Sequence, residues 1–239
     1  MNISGKTALV TGGTDGIGIH IARQLQAKGA SVIVCGRRED KLAAARAEGL
    51  EAILADLSNA AGVAALAAAM KTRNLDILIN NAGAGSTYVL GEPIDLDEND
   101  RTIFLNLNAP IQLIALLIER LKARPAAVIV NVTSGLAIAP NGRSAVYCAT
   151  KAGLRSYTKS IRFQLRDTNV HVIEALPPVV DTAMTADIER GKMLPQECAR
   201  QIIAAIEGDR QEANVGMVKL LRVIHSISPR FADAFMIRY

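Results

Sequence analysis

The chain has few aromatic residues and no long apolar run. None of its 239 residues is Trp, and Phe, Trp and Tyr together make up 3%. Proteins that bind single nucleic-acid strands stack bases on aromatic side chains, so a nucleic-acid partner is not expected despite the net charge of +4. No stretch of about eighteen apolar residues is present, so no transmembrane segment is predicted. The first twenty residues also lack the apolar core of a signal peptide.

Residues that bind metals or form disulfides are also scarce. The three cysteines are unevenly spaced without a C-x-x-C pair, and the three histidines lie far apart. This spacing predicts neither a disulfide framework nor a metal site, and it favours a cytoplasmic location. The residues concerned are Cys35, Cys148, Cys198, His20, His171 and His225.

What the sequence does contain is a regular alternation of short apolar runs and helical patterns. No linker or repeat interrupts it, which predicts one domain over residues 1–239. The fold class is α/β, with a doubly wound parallel sheet of the Rossmann type between two helical layers. Strands are predicted at 6–11, 31–35, 51–55, 76–80, 127–133 and 170–176, with 212–216 as a short closing candidate. In such a sheet, ligands lie beyond the carboxyl ends of the strands.

A glycine-rich turn, T-G-G-T-D-G-I-G at 11–18, links the first strand to a helix. Glycines let the backbone approach a pyrophosphate, and the amides at the start of the helix favour its charge. The spacing is G-x-x-x-G-x-G, which differs from the general dinucleotide fingerprint. The turn alone could also be an ordinary loop.

Two arginines, Arg37 and Arg38, follow the second strand, where a nucleotide-binding fold reads the ribose. Arginines accommodate a 2′-phosphate, whereas an acid would favour a free hydroxyl, so NADP(H) is preferred to NAD(H). The alternative is that both arginines simply open a solvated helix. Asp15, in the glycine turn, is an unfavourable neighbour for an anion.

The third and fourth strands also end in polar or small residues. Asp56 follows the third, and N-N-A-G at 80–83 follows the fourth, where a flat ring could lie close to the backbone. These residue types are also ordinary turn formers.

The segment Y-C-A-T-K at 147–151 predicts an acid/base group. On a helix, Tyr147 and Lys151 would lie one turn apart on one face, with Ser134 thirteen residues upstream of the tyrosine. A nearby ammonium favours the phenolate and lowers the tyrosine pKa from near 10. The pair therefore predicts a general acid/base, although such a spacing could also arise by chance.

Taken together, these motifs resemble the short-chain dehydrogenase/reductase family over about residues 5–208. The resemblance rests on 11–18, 80–83, Asn106 in L-N-L-N-A-P, T-S at 133–134 and Y-C-A-T-K at 147–151, in this order. It implies that Tyr147 is the acid/base, that Lys151 lowers its pKa and binds the nicotinamide ribose, that Ser134 orients the carbonyl, and that Asn106 completes a proton relay through water. The implied cofactor-binding residues are Gly12, Thr14, Asp15, Gly16, Ile17, Gly18, Arg37, Arg38, Asp56, Leu57, Asn81, Ala82, Gly83, Tyr147, Lys151, Pro177, Val180 and Thr182.

Two departures from the family pattern stand out. Pro177-Pro178 replaces the usual Pro-Gly after the sixth strand, and proline supplies no amide donor. The tail at 217–239 is apolar and helical in pattern, with a helix restart at Ser228-Pro229. It could pack on its own fold or a partner subunit, cover the site, or rest on a membrane surface, the first two being favoured. The P-P-x-V-D-T turn and this tail resemble the oxidoreductases grouped with teichoic-acid D-alanylation clusters.

The predicted function is hydride transfer between a nicotinamide, preferably NADPH, and a carbonyl or alcohol carbon of a small apolar substrate. A lid is predicted at 183–194. The family resemblance implies a homodimer or homotetramer, formed by helices at about 107–122 and 146–166. The alternative is a binding protein that senses the dinucleotide without turnover.

Overall fold

The computed structural model describes residues 1–87, 90, 91, 93–189 and 191–238. Its strands are β1 (Thr7–Thr11), β2 (Ser31–Gly36), β3 (Glu51–Leu54), β4 (Ile77–Asn80), β5 (Ala127–Val132), β6 (Val170–Leu176) and β7 (Glu212–Asn214). Its α-helices are α1 (Gly16–Ala27), α2 (Glu39–Ala47), α3 (Ala60–Ala69), α4 (Leu96–Ile103), α5 (Ala109–Lys122), α6 (Ala145–Gln164), α7 (Pro195–Glu207), α8 (Val218–Ile227) and α9 (Pro229–Met236). Short 3-10 turns lie at Gly135–Ala137 and Ala183–Thr185.

The seven strands form one parallel sheet in the order β3-β2-β1-β4-β5-β6-β7. This arrangement confirms the predicted fold class. All six predicted strands are present within a residue or two of their predicted ends, and β7 lies inside the closing candidate. The order reverses between β1 and β4, which opens a crevice at the carboxyl edge of the sheet.

Side chains of each central strand alternate between two cores. In β4, Ile77 and Ile79 join the core under α1, α2 and α7, whereas Leu78 joins the core under α3, α5 and α6. Both faces of the strand are therefore buried, because helices cover the sheet on both sides. This is why the strands read as continuous apolar runs rather than as alternating ones.

The helix before β5 begins earlier than predicted. Helical structure is continuous from Leu96 to Lys122, so the predicted start near 107 was wrong. Asp95 caps it by accepting a hydrogen bond from the Glu98 amide at 2.9 Å. The first turns carry mainly polar residues, so they lack the apolar pattern that marks the later turns. By length and composition this helix could cross a membrane, but Leu113, Leu117 and Leu121 of its second half pack in the core.

The carboxyl-terminal helices return to the carboxyl edge of the sheet. Ser228 caps α9 and Pro229 occupies its first turn, which confirms the predicted restart. Val218 of α8 lies against Gly135, because a Cβ at that glycine would come within 3.0 Å of a Val218 methyl group. One side of α8 therefore packs on the protein's own fold, while side chains such as Leu220 and Ile227 remain exposed.

Candidate active site

The motifs predicted from the sequence meet at one edge of the sheet, because all strands run in the same direction. The glycine turn after β1, the loop after β4 and the loop after β5 are neighbours there. The β6 loop also joins them, since the Gly135 amide donates to the Pro177 carbonyl at 2.9 Å.

The glycine turn packs too closely for side chains. Gly12 has φ +60°, and a Cβ there would lie 2.9 Å from the Ala82 backbone. A Cβ on Gly18 would lie 2.2 Å from the Gly12 carbonyl oxygen. Within the described residues, the amides of Ile17 and Gly18 donate no hydrogen bond. The first turn of α1 thus offers free donors to an anion, as the predicted pyrophosphate site requires.

The glycine turn is tied to the β4 loop by contacts that the sequence did not indicate. The Thr11 hydroxyl accepts hydrogen bonds from the amides of Asn81 and Ala82, both at 3.0 Å. The Asn81 side-chain amide donates back to the carbonyls of Thr11 and Gly12, at 2.9 and 3.2 Å. Asn81 therefore fixes the two loops relative to each other, in addition to its predicted place beside the ribose.

Asp15 caps the helix that follows the glycine turn. Its carboxylate accepts from the Gly16 amide at 2.8 Å and pairs with Lys41 at 3.2 Å. Burial alone would raise the pKa of Asp15, but the Gly16 amide and Lys41 lower it overall. Lys41 also offsets the negative charge of Asp15, which the sequence analysis had taken as unfavourable for a bound anion. A groove of about 360 Å³ runs past Asp15, Lys41 and Thr182, and Thr14 lines it beside them.

The two arginines after β2 differ in their surroundings. Both are exposed, but Arg38 pairs with Asp40 at 2.5 Å, whereas Arg37 has no ion pair within the described residues. Asp56 accepts from the Ser58 amide at 3.0 Å, and Leu57 beside it is buried. Arg37 is therefore the arginine whose guanidinium is free for a phosphate.

The predicted lid follows β6. Thr182 caps the short 3-10 turn at Ala183–Thr185, and Val180 pairs with Met193 across the lid. Residue 190 lies outside the described residues, so the lid is described on both sides of it. A Cβ on Gly85 would touch Met184 at 3.4 Å, which places the lid beside the β4 loop.

The catalytic candidates come together between β5 and α6. Ser134 follows β5, and its hydroxyl lies close enough to the Tyr147 phenol to lower the pKa of that phenol. The Lys151 ammonium lies 5.7 Å from the centre of the Tyr147 ring and donates to the Val132 carbonyl at 2.9 Å. A Cβ on Gly83 would lie 3.4 Å from Lys151 Nζ. Lys151 thus connects the tyrosine to the loop where the sequence places the cofactor ribose.

The electrostatics of this cluster differ from the expectation. Burial raises the pKa of Tyr147 to about 12, and the neighbouring Ser134 hydroxyl only partly offsets this rise. Burial also lowers the pKa of Lys151 to about 8. In the protein alone, the expected lowering of the tyrosine pKa is therefore absent. A phenol in this environment holds its proton at neutral pH, as a proton donor must.

Asn106 occupies an irregular turn of its helix. Residues Phe104–Asn108 form a π-helical turn, a feature that is frequent at functional sites. The Asn106 side chain accepts from the Ala84 amide at 2.9 Å and donates to the Ala84 carbonyl at 2.8 Å. It also donates to the Thr150 hydroxyl at 3.2 Å, which itself donates to the Tyr147 carbonyl. Thr150, which the sequence analysis missed, links Asn106 to the helix of Tyr147.

Comparisons with known proteins identify the family of the chain. Residues 6–193 match the short chain dehydrogenase family. The chain is 40% identical over 195 residues to the uncharacterized oxidoreductase DltE of Bacillus subtilis, covering 77% of this chain and 75% of that protein. It is 35% identical over 188 residues to the 3-oxoacyl-[acyl-carrier-protein] reductase FabG of Rickettsia prowazekii, covering 77% of each. A short chain dehydrogenase from Burkholderia cenocepacia in complex with NADP superposes over 100% of both chains with a TM-score of 0.90 at 26% identity.

The chain therefore belongs to the short-chain dehydrogenase/reductase family, whose members are oxidoreductases. The resemblance to the family that was drawn from the motifs is confirmed, and the 40% identical relative is itself an oxidoreductase.

Proposed function

We propose that this protein uses NADPH to reduce the carbonyl of a small apolar substrate, and catalyses the reverse oxidation of the alcohol. The observation that carries this proposal is the cluster of Ser134, Tyr147 and Lys151 beside Gly83 of the cofactor-side loop. A bare binding site would need the glycine turn but not a phenol, a hydroxyl and an ammonium gathered at its edge.

The cofactor would lie along the carboxyl edge of the sheet. Its pyrophosphate would meet the free amides of Ile17 and Gly18, and Arg37 would face a 2′-phosphate. Lys151 and the Asn81–Gly83 loop would hold the nicotinamide ribose. When bound, NADPH supplies the hydride that reaches the carbonyl carbon. The NADP complex of the Burkholderia relative supports a nicotinamide dinucleotide in this place.

Each catalytic residue has a separate task. Ser134 donates a hydrogen bond to the carbonyl oxygen of the substrate and stabilises the charge that develops there, a contribution of ~3 kcal/mol in comparable sites. Tyr147 then gives its proton to that oxygen, and Lys151 stabilises the phenolate that results. Asn106 and Thr150 hold the turn from which a water chain could return the proton.

The lid segment presents apolar side chains. Met184 and Leu194 of the lid segment are exposed, and Met184 lies against Gly85 of the opposite loop. The name of the Rickettsia relative refers to a 3-oxoacyl substrate. Both observations support a carbonyl on an aliphatic chain as the substrate class.

The direct test is a panel of substrates with purified protein. We expect oxidation of NADPH with medium-chain aldehydes, aliphatic ketones or 3-oxoacyl thioesters, and slower oxidation of NADH. Binding of NADPH without turnover of any compound, including alcohols with NADP in the reverse direction, would instead favour the sensing protein.

A further inference from the structure

We propose that Glu174 is a positioning residue of this active site, which holds both the strand end that carries Ser134 and the helix that carries Tyr147 and Lys151. The inference rests on the proposed function, since it assigns Glu174 a role through those residues. Glu174 lies in β6 and has no exposed surface, and its carboxylate hydrogen-bonds Thr133 and Arg155.

Each oxygen of the Glu174 carboxylate has a different partner. Oε1 accepts from the Thr133 hydroxyl at 2.8 Å, and Oε2 accepts from Arg155 Nη1 at 2.6 Å. Thr133 immediately precedes Ser134. Arg155 is 7% exposed and follows Lys151 by one turn of α6. One buried carboxylate therefore joins the two segments between which the acid/base cluster forms.

The position of Arg155 on its helix strengthens this connection. Tyr147, Lys151 and Arg155 are spaced by four residues, so they lie on one face of α6 in successive turns. A guanidinium fixed by a buried carboxylate limits rotation and sliding of that face. The Arg155–Glu174 pair therefore helps to fix the distance between Ser134 and Tyr147. Catalysis is sensitive to this distance, because small displacements of catalytic groups lower the rate.

The same network reaches the carboxyl-terminal helices. Arg155 Nη2 lies 3.6 Å from Glu212 of β7, whose carboxylate accepts from Arg222 of α8 at 2.9 Å. Helix α8 in turn rests on Gly135, the residue after Ser134. The ion pairs from Glu174 to Arg222 and the contact of α8 with Gly135 thus hold the segment around Ser134 from two sides.

Energetics also favour a specific role for this pair. A buried ion pair gives little net stability compared with apolar residues of the same volume, because both ions lose their hydration. It does, however, fix the geometry of the groups that satisfy it, since a displaced partner leaves a buried charge unpaired.

The test compares Glu174→Gln and Thr133→Val with Asp76→Asn. Asp76 is a matched control, because it is 1% exposed and accepts from an arginine, Arg124 Nε, and from the Thr7 amide, both at 2.9 Å. It lies at the opposite edge of the sheet. Thr133→Ser keeps the hydroxyl and serves as the conservative rescue.

Two readouts separate positioning from general stability. We expect Glu174→Gln and Thr133→Val to speed hydrogen exchange of the amides at 132–137 in the folded protein. The increase should be at least about fivefold larger than the increase in Asp76→Asn, when the variants are compared at temperatures equally far below their own melting temperatures. We also expect kcat to fall about tenfold or more, with NADPH affinity within twofold of the wild type. Thr133→Ser should restore both.

The exchange readout needs no substrate, so it decides the inference even if the proposed reaction fails. Equal exchange at 132–137 in the Glu174 and Asp76 variants would overturn the positioning role. A loss of kcat in Asp76→Asn as large as in Glu174→Gln would also overturn it. Should Glu174→Gln not fold, Thr133→Val and Thr133→Ser carry the same comparison.

Discussion

At the scale of single residues, Lys151 combines a buried ammonium with two neighbours that the proposed reaction uses. It faces the Tyr147 ring and donates to the Val132 carbonyl. Because burial lowers the pKa of Lys151 to about 8, its charge is present at neutral pH and is lost in mildly alkaline solution. The ability to stabilise a phenolate is then lost with it.

This burial has a consequence for stability that a Lys151→Met variant measures. The pKa of Lys151 is about 8 in the folded protein and 10.5 as its ordinary value, so the unfolded chain binds more protons between these pH values. The free energy of unfolding of the wild type should therefore rise relative to Lys151→Met as the pH increases from about 8 to 10.5, by on the order of 3 kcal/mol. Urea titrations without cofactor at several pH values measure this difference.

Lys159→Met is the control, because Lys159 is an exposed lysine on the same helix. Its difference from the wild type should stay flat over the same range. A flat profile for Lys151→Met as well would contradict a buried Lys151 whose pKa is lowered.

Arg37 provides the second prediction at this scale. With Arg38 engaged by Asp40, Arg37 is the side chain that should distinguish the two cofactors. We expect the wild type to bind NADPH at least about tenfold more tightly than NADH, which corresponds to ~1.4 kcal/mol. Arg37→Asp should reverse this preference, because it replaces the phosphate-binding cation by an acceptor for a ribose hydroxyl.

Fluorescence titration with both cofactors measures these affinities. Arg46→Asp, an exposed arginine later in α2, should leave the preference intact, and Arg38→Ala should weaken it less than Arg37→Asp. Equal affinities of the wild type for NADPH and NADH would contradict the assignment of Arg37 as the residue that binds the 2′-phosphate.

Single residues also mark the limit of sequence reasoning. Tyr147, Ser134 and Lys151 could be found because chemistry and spacing pointed to them, and the structure brings them together. Thr11 and Thr150 could not, since a threonine hydroxyl that serves as a structural hub has no pattern of its own. The pKa of Tyr147 was predicted in the wrong direction for the protein alone, because sequence spacing reveals a neighbouring charge but not the depth of burial.

At the scale of elements, the helix from Leu96 to Lys122 places Asn106 through its π-helical turn. The wider i→i+5 turn shifts the helix face locally, and Asn106 meets Ala84 on one side and Thr150 on the other. The motif L-N-L-N-A-P indicated the residue but not this turn. The first turns of the helix were also missed, because exposed polar turns carry no apolar periodicity.

Asn106→Ala tests what this turn contributes. It would leave the amide and carbonyl of Ala84 without their partner, which should lower the free energy of unfolding by about 1–3 kcal/mol. Turnover should fall at least tenfold, because the Ala84 segment and Thr150 both lose their anchor.

The matched control is Asn169→Ala, whose side-chain amide donates to the carbonyls of Leu121 and Arg124 at the opposite edge of the sheet. It should lose stability without a comparable loss of turnover. Equal effects of the two variants on turnover at matched stability would show that Asn106 is only a packing residue. Thermal unfolding and initial rates measure both quantities.

At the scale of the whole molecule, the parallel sheet and its two buried faces could be predicted from the sequence, whereas the order of the strands comes from the structure. Continuous apolar runs with intervening helices leave few topologies open once right-handed crossovers are required. The carboxyl-terminal end was less predictable. Its apolar pattern indicated two helices and a break at Ser228, but not that α8 would rest on Gly135 and pair with Glu212.

The outer faces of α5 and α6 carry exposed apolar side chains, among them Leu116 at 56% and Phe163 at 67% exposure. We predict that two copies of the chain pair through these two helices, as the family resemblance implies, and that these side chains are covered in the pair. Light scattering should give at least twice the monomer mass of 25.4 kDa at micromolar concentration. Leu116→Glu should shift the protein toward the monomer.

Leu54→Glu is the control for this prediction. Leu54 is 60% exposed and lies on β3, the outermost strand of the sheet, away from α5 and α6. Its substitution should leave the mass unchanged. A wild type that stays monomeric throughout the micromolar range would rule out pairing through α5 and α6.

The central claim is that Tyr147 donates the proton in a hydride transfer from NADPH. The most direct measurement is the initial rate of NADPH oxidation by Tyr147→Phe with a carbonyl compound that the wild type reduces, together with the NADPH affinity of both proteins. We predict a rate lowered by about 10²-fold or more, with the affinity and the fold retained, because the substitution removes one hydroxyl. Full activity in Tyr147→Phe would contradict the assignment.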